Sequence, residues 1–367
     1  MPRNALCWCN SGLKWKQCHR AREFEKPQNY FEVQPKFRKN FESGACSHPE
    51  APDGCSGKSI NSHTVQKGSS LAAISEQGHV YSSRQAVNRI HQNKGVLVPQ
   101  RTGVNSASTF PGFCSKHDTS LFLPIESGDL PITRQTAFLL SYRAMAYERH
   151  AKRSSLESLE LGRTADAGRP FEEQVEIQSF LNAFIEGSEL GLQDLTRWKN
   201  KLDAIYKSGD TADIGMLAVT FEDTLPFVAA FGIMPEWDFA GLKLQSLLAE
   251  EPDQASVTIT VAAGVTVALF TWFGGENSAG AKLAKSFSQL PDDQKGTGLI
   301  RFALASSENV HMRPSWWEGI GEKEREDALR LVHLGTANER GLRRFDDFLP
   351  TEGHLRLKSA VKTTEFL

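Results

Sequence analysis

Cysteine is scarce in this 367-residue chain, six in all, and that scarcity excludes a disulfide scaffold. A phosphate-binding glycine loop, a nucleophile elbow and an HExxH helix are also missing, which removes the P-loop NTPases, serine hydrolases and zinc proteases that carry them. No positively charged start leads into an apolar run, so no secretory leader is expected. The expected setting is a reducing cytoplasm, where clustered thiols read as metal ligands before they read as bridges. One stretch, Gln254 to Gly275, lacks charge and raises the question of a membrane span. Its four threonines, the alternation in VTIT and VTVA and the central AAG predict a buried β-hairpin instead, with no membrane partner.

Net charge is nearly absent too, at −2, but the balance hides an asymmetry. Residues 1–120 hold 16 Lys and Arg against 8 Asp and Glu, a net of +8, which leaves −10 for the remainder. The basic part also holds all six cysteines and six of the ten histidines. A basic, Cys/His-rich portion on an acidic body is what a small metal module facing a polyanion would look like; a finger made lysine-rich for solubility would look the same.

Composition places the boundaries. Residues 1–26 form a basic Cys/His unit and 27–45 a linker with anchoring aromatics. Residues 46–126 mix short apolar runs with Gly, Ser and Asn, as a small zinc module with little core of its own would. Residues 131–210 read as a helical hairpin: Thr133 can cap a helix with Phe138, Tyr142, Met145 and Arg149 at helical spacing. After the interruption GRTADAGRP, a second amphipathic stretch carries Phe180, Phe184, Leu195, Trp198, Leu202 and Ile205. Residues 211–367 read as an α+β body. There IGMLAVTFE, PFVAAFGIM, GLKLQSLL, SVTITVAAG and VTVALFTWF are strand-like, and AGAKLAKSFSQL and GEKEREDALRLVHLG are helical. The fold class is therefore α+β: an N-terminal zinc finger and a treble-clef-like zinc module, then a helical hairpin and an antiparallel sheet with helices. The segment SSENVHMRPSWW concentrates polar and aromatic groups as a recognition loop would, or as a Trp pair packed in a core.

Half of the cysteines stand in CWCNSGLKWKQCH, residues 7–19. Zinc takes four tetrahedral soft or borderline ligands, and Cys7, Cys9, Cys18 and His19 supply them from a tight knuckle and a Cys-His pair. Gly12 permits the turn, and Lys14 and Lys16 favour thiolate over thiol. This stretch resembles the SEC-C motif: a Cys-x-Cys, then Ser11-Gly12, Lys14-Trp15-Lys16 and Cys18-His19, with Asn10 where the family has glycine. The resemblance implies zinc on those four residues and docking to another macromolecule, a protein, the ribosome or nucleic acid. It implies nothing about catalysis.

Cys46, Cys55, Cys114 and His117 make a second Cys₃His set, in which His48 could replace one member. A short strand with His63 lies between its halves, a layout that resembles HNH-type nucleases. Carried over, that resemblance implies His63 as general base, Asn105 as the residue orienting it, and Asp118 as ligand to a catalytic Mg²⁺ or Mn²⁺. Lys58, Lys67, Arg84, Arg89 and Arg101 would face the phosphates of a nucleic acid. Ser62 precedes the histidine where the family has a metal ligand, and the first knuckle is ten residues long instead of four. Two readings follow: a zinc-stabilised HNH-like nuclease, of a build that resembles components of bacterial phage defence, or a non-catalytic adaptor that docks through its fingers or its C-terminal body. The cofactor expectation is two structural Zn²⁺ ions, with Mg²⁺ or Mn²⁺ added in the nuclease reading.

Overall fold

The structure, a computed structural model, describes residues 1–84, 97–126, 128–336 and 354–367. In chain order its main elements are α1 (Tyr30–Glu42), β1 (Ser59–His63), β2 (His79–Ser82), β3 (Gln100–Gly103), β4 (Thr109–Cys114), α2 (Ser115–Phe122), α3 (Arg134–Gly162), α4 (Phe171–Ser208), β5 (Ile214–Phe221), β6 (Phe227–Ile233), β7 (Ala255–Ala262), β8 (Val265–Phe273), α5 (Ala279–Ser288), α6 (Asp292–Ser306), β9 (Val310–Met312), α7 (Pro314–Gly319), α8 (Glu322–Thr336) and β10 (Val361–Phe366). The α+β class stands. The chain forms two compact units, Met1–Gly44 with Arg149–Arg197, and Ala45–Glu148 with Trp198–Leu367.

In the larger unit an eight-stranded sheet runs β10-β5-β8-β7-β6-β9-β2-β3, with every neighbouring pair antiparallel. Its centre is the expected hairpin: β7 and β8 pair from Ala255↔Trp272 to Ala262↔Val265, closed by Ala263 and Gly264 at φ 49° and 80°. Two successive residues at positive φ make the tight turn whose twist matches that of the strands. Among the described residues no helix is long and apolar enough to cross a membrane.

One face of this sheet carries the core, where Val257, Ile259, Phe270, Phe231 and Phe227 meet Phe287 of α5, Phe302 of α6 and Leu331 of α8. Trp317 of the SSENVHMRPSWW segment is buried in that core, and its VHM is strand β9. The other face carries Val80, Val228, Ala230 and Val261, packed under Val65, Leu71 and Ile74.

Several expectations need correction. GLKLQSLL is not a strand: Asp238 Oδ1 accepts from the backbone N–H groups of Ala240 and Leu242, and Gly241 takes φ +78°, so the chain turns and leaves Leu242 and Leu248 exposed. The linker 27–45 contains α1, whose N-cap Asn29 accepts from Phe31 N–H. Segment 46–126 is not a self-contained module. Its β1 and β4 form a two-stranded sheet, but β2 and β3, which lie between them in sequence, join the eight-stranded sheet. The helical hairpin 131–210 is divided between the two units. In α4, Leu195, Trp198 and Leu202 are buried as expected, whereas Phe180 is 58% exposed.

Candidate metal centres

The first Cys₃His set lies in the smaller unit. Gly12 and Asn10, at φ 72° and 60°, turn the chain between Cys9 and Cys18, and asparagine is the side chain that best tolerates the left-handed region where the motif uses glycine. Cys7 N–H donates to the carbonyl of Leu13 at 2.8 Å, which draws Cys7 towards the second half of the motif. His19 Nδ1 then sits 3.2 Å from Cys7 Sγ and 3.1 Å from Cys18 Sγ, and Cys9 Sγ lies 3.6 Å from Cys18 Sγ. Tetrahedral zinc with bonds of about 2.3 Å to sulfur and 2.0 Å to nitrogen would set edges of about 3.8 and 3.5 Å, so the donors are spaced for that ion.

What the sequence did not reveal is how His19 is held. Its Nε2 donates to Asp166 Oδ2 at 2.7 Å, and Asp166, 0% exposed, also accepts from Arg22 Nε and Gln178 Nε2 at 2.7 Å each. Burial pushes the Asp166 carboxyl up, but the hydrogen bonds from His19, Arg22 and Gln178 outweigh it and hold it below the usual range. Arg163 adds a bond to the carbonyl of Cys9 at 3.1 Å, and Trp8 packs its ring on His19 at 4.6 Å. A carboxylate behind the imidazole fixes the tautomer that presents Nδ1 to a metal. Asp166, Arg163 and Gln178 come from the interruption GRTADAGRP and the helix after it; a polar loop gives no signal of that role.

The second set joins three elements of the larger unit. Cys46 and Cys55 come from a knuckle closed by Gly54 N–H to Glu50 O and Cys55 N–H to Pro52 O. Cys114 ends β4, and His117 lies on the first turn of α2. His117 Nδ1 is 3.4, 3.7 and 3.4 Å from the sulfurs of Cys46, Cys55 and Cys114. Both sets have all four donor atoms within 4.8 Å of one another and could hold zinc. In each, one thiol is pulled below its ordinary pKa, while burial pushes another, Cys18 in the first set and Cys55 in the second, up to about 12. Burial opposes ionisation of Cys9 and Cys114, yet hydrogen bonds from Ser11 to the first, and from His117 and Ser56 to the second, pull them down, Cys114 to about 6.

His48 is no substitute ligand. Its ring stacks on His117 at 3.8 Å and 9°, its Nε2 is bonded to Tyr206 at 3.0 Å, and its Nδ1 accepts from Glu50 N–H at 3.2 Å. The set His48, Glu50 and His117 therefore has one imidazole already spent, although its donor atoms lie close together. Behind His117 the nearest carboxylate oxygen is Glu50 Oε2 at 3.8 Å, and His117 Nε2 is buried without a hydrogen bond.

The expected catalytic residues are not gathered on one metal. His63 Nε2 donates to the carbonyl of Val104 at 3.1 Å, so a backbone group takes the orienting role assigned to Asn105, which is exposed in the turn after β3. Burial lowers the His63 pKa, and the nearby charges of Lys67 and Arg143 act in the same direction. In the register of the small sheet Ser59 lies opposite Cys114, which puts His63 four strand positions, about 13 Å, from the Cys114 end of the pair. Asp118 follows His117 on α2, and its Oδ1 is buried without a hydrogen bond. Neither residue belongs to a set of three or more converging donors among the described residues. The basic residues are also dispersed. Lys58 and Lys67 are exposed on either side of β1, Arg84 donates to the carbonyl of Thr109, Arg101 on β3 donates to Gln77, and Arg89 lies outside the described residues.

Residues 3–21 match the SEC-C motif, a short metal-binding element, and the match covers the first Cys₃His set. No curated protein matches the chain, and no solved structure does.

Proposed function

We propose that this protein is a zinc-dependent adaptor, in which two structural zinc ions hold the fold and the SEC-C finger docks on another macromolecule. The observation that carries the reading is that each Cys₃His set supplies four protein donors, which leaves no open position for substrate. The finger also exposes what a docking surface needs. Leu6 and Phe24 are 68% and 82% exposed, Leu13 between them in sequence is exposed, and the same stretch exposes the positive charges of Lys14, Lys16 and Arg20. A photo-crosslinker placed at Leu13 tests the reading: the zinc-loaded protein is expected to capture a protein or nucleic acid in cells, and the Cys18→Ser protein to lose it. Absence of any crosslink from the zinc-loaded protein would refute docking through the finger.

A second reading, a metal-dependent HNH-like nuclease, is favoured by one arrangement. The knuckle, the β1/β4 pair and the helix whose first turn bears His117 follow the order of a treble clef, and the partnerless Asp118 oxygen invites a cation. His63→Ala should then leave both zinc ions in place and abolish cleavage of DNA or RNA with Mg²⁺ or Mn²⁺. Equal cleavage by the variant, or none by the parent, leaves the adaptor reading alone.

A further inference from the structure

Helix α4 is apolar on two faces where it needs only one. Its inner face, with Gln178, Leu181, Ile185 and Ser188 buried, packs within the smaller unit. At 100° per residue, Phe180, Ala183, Phe184, Gly187 and Leu190 fall on a second stripe about 120° wide that points away from the first. Phe180 and Leu190 are 58% and 52% exposed, Ala183 and Gly187 are exposed, and Phe184 is half-buried. The rings of Phe180 and Phe184 lie 4.4 Å apart and form one raised patch. Beside it Gly187 presents bare backbone to open space, since a Cβ there would meet nothing within 4 Å. Water-facing phenylalanines at helical spacing, on a helix that already buries its other side, mark a surface that another element covers.

Charge decides what covers it. Between Phe171 and Thr196 the helix carries Glu172, Glu173, Glu176, Glu186, Glu189 and Asp194 and no lysine or arginine. Glu173 is paired with Arg169 at 2.8 Å and Asp194 with Arg197 at 2.9 Å, while Glu172, Glu176, Glu186 and Glu189 are exposed. A second copy of α4, parallel or antiparallel, would bring these carboxylates against their equivalents, and like charges across a helix pair oppose association. A lysine- or arginine-flanked partner meets no such repulsion. We propose that the outer face of α4 from Phe180 to Leu190 is a docking surface for a basic amphipathic helix of a partner protein. Apolar side chains of that helix would lie on the Phe180–Phe184 patch and over the bare backbone at Gly187, and its cationic flanks would face Glu176 and Glu186. This surface goes beyond the SEC-C docking reading and uses none of the finger's residues.

The probe is a fluorescent peptide of about 18 residues, five turns, with leucines on one helical face and lysines on the other, set against a peptide of the same composition in scrambled order. The full-length zinc-loaded protein is expected to bind the patterned peptide about tenfold more tightly than the scrambled one. Phe180→Ser with Phe184→Ser should remove that preference, with zinc content and helical signal unchanged because both side chains reach solvent. Glu176→Lys with Glu186→Lys should weaken binding of both peptides at low salt. Equal affinity for the two peptides, or a preference that survives the double serine variant, overturns the proposal. So does a Phe180-dependent dimer in sedimentation, which would assign the face to a second copy. Crosslinking through Leu13 of the finger is unaffected by either α4 variant, so the two readings fail separately.

Discussion

His19 and His117 present the same nitrogen to the same donor set, yet what stands behind them differs. Asp166 is buried and bonded to His19 at 2.7 Å, whereas Glu50 is exposed and 3.8 Å from His117. A carboxylate that fixes a ligating imidazole typically contributes about 10- to 100-fold in metal affinity. Asp166→Asn should therefore weaken zinc at the SEC-C site by that factor and leave the second site unchanged, read by competition with a chromophoric chelator; equal loss at both sites would contradict the assignment. A different residue contributes to the acid response. His311 is fully buried in β9, its Nε2 bonded to Asn309 Oδ1 at 3.0 Å, and burial holds its pKa down to about 3, with the charges of Arg84 and His63 adding to the effect. Between the ordinary 6.5 and about 3 the unfolded chain takes up a proton that the folded chain refuses. Stability is thus fully present above 6.5 and falls as pH drops through that window, by up to about 1.4 kcal/mol per unit. The gap in urea stability between the parent and His311→Gln should narrow from neutral pH to pH 4, and a constant gap would count against this account.

At the scale of elements, the text was legible where pattern and punctuation agree. The strands IGMLAVTFE, PFVAAFGIM, SVTITVAAG and VTVALFTWF alternate or run apolar between turn residues, and all became strands. Thr133 accepts from Thr136 N–H at the start of α3 as its position suggested. Helix α6 was missed because its two glycines lower helix propensity. Gly296 is there for packing, since a Cβ would meet Ser359 Oγ at 2.6 Å. Strand β9, three residues long, has no pattern to read, and the pairing of β2 with β9 joins residues more than two hundred positions apart. The metal sites show the same division. Their ligands were legible because chelation needs close spacing, while Asp166, 147 positions from His19, was not. The β7/β8 turn offers a test of local chemistry. Ala263 holds φ 49°, a conformation that strains an alanine by about 1–2 kcal/mol and that asparagine tolerates better. Ala263→Asn should raise the melting temperature by a few degrees, and a decrease would mean that the turn is held by contacts outside itself.

Over the whole molecule the question is how far the loss of one metal spreads. Read from spacing alone, the SEC-C site is local, and Cys18→Ser should unfold only the first 26 residues. The hydrogen bonds argue for a wider effect inside the smaller unit. His19 and Arg22 are bonded to Asp166, Arg163 is bonded to the carbonyl of Cys9, Gln28 is bonded to Thr164, and Gly168 donates to the carbonyl of Arg22 at 2.9 Å. Without zinc the finger cannot hold His19 in place, and Asp166 would then keep a buried charge with fewer donors around it. A buried carboxylate left short of partners costs more than the hydrogen bond it has lost. Hydrogen exchange in the Cys18→Ser protein should therefore rise across residues 1–28 and also in the segment 163–178. Strands β5 to β8, which draw on the core of Phe231, Phe270 and Phe302, should keep their protection. Cys114→Ser should give the complementary pattern, with exchange rising in β1, β4 and α2 and the finger unchanged. If Cys18→Ser loosens residues 1–28 alone, the bonds to Asp166 and Arg163 contribute nothing to holding the smaller unit together, and the finger is a separable domain as its spacing first suggested.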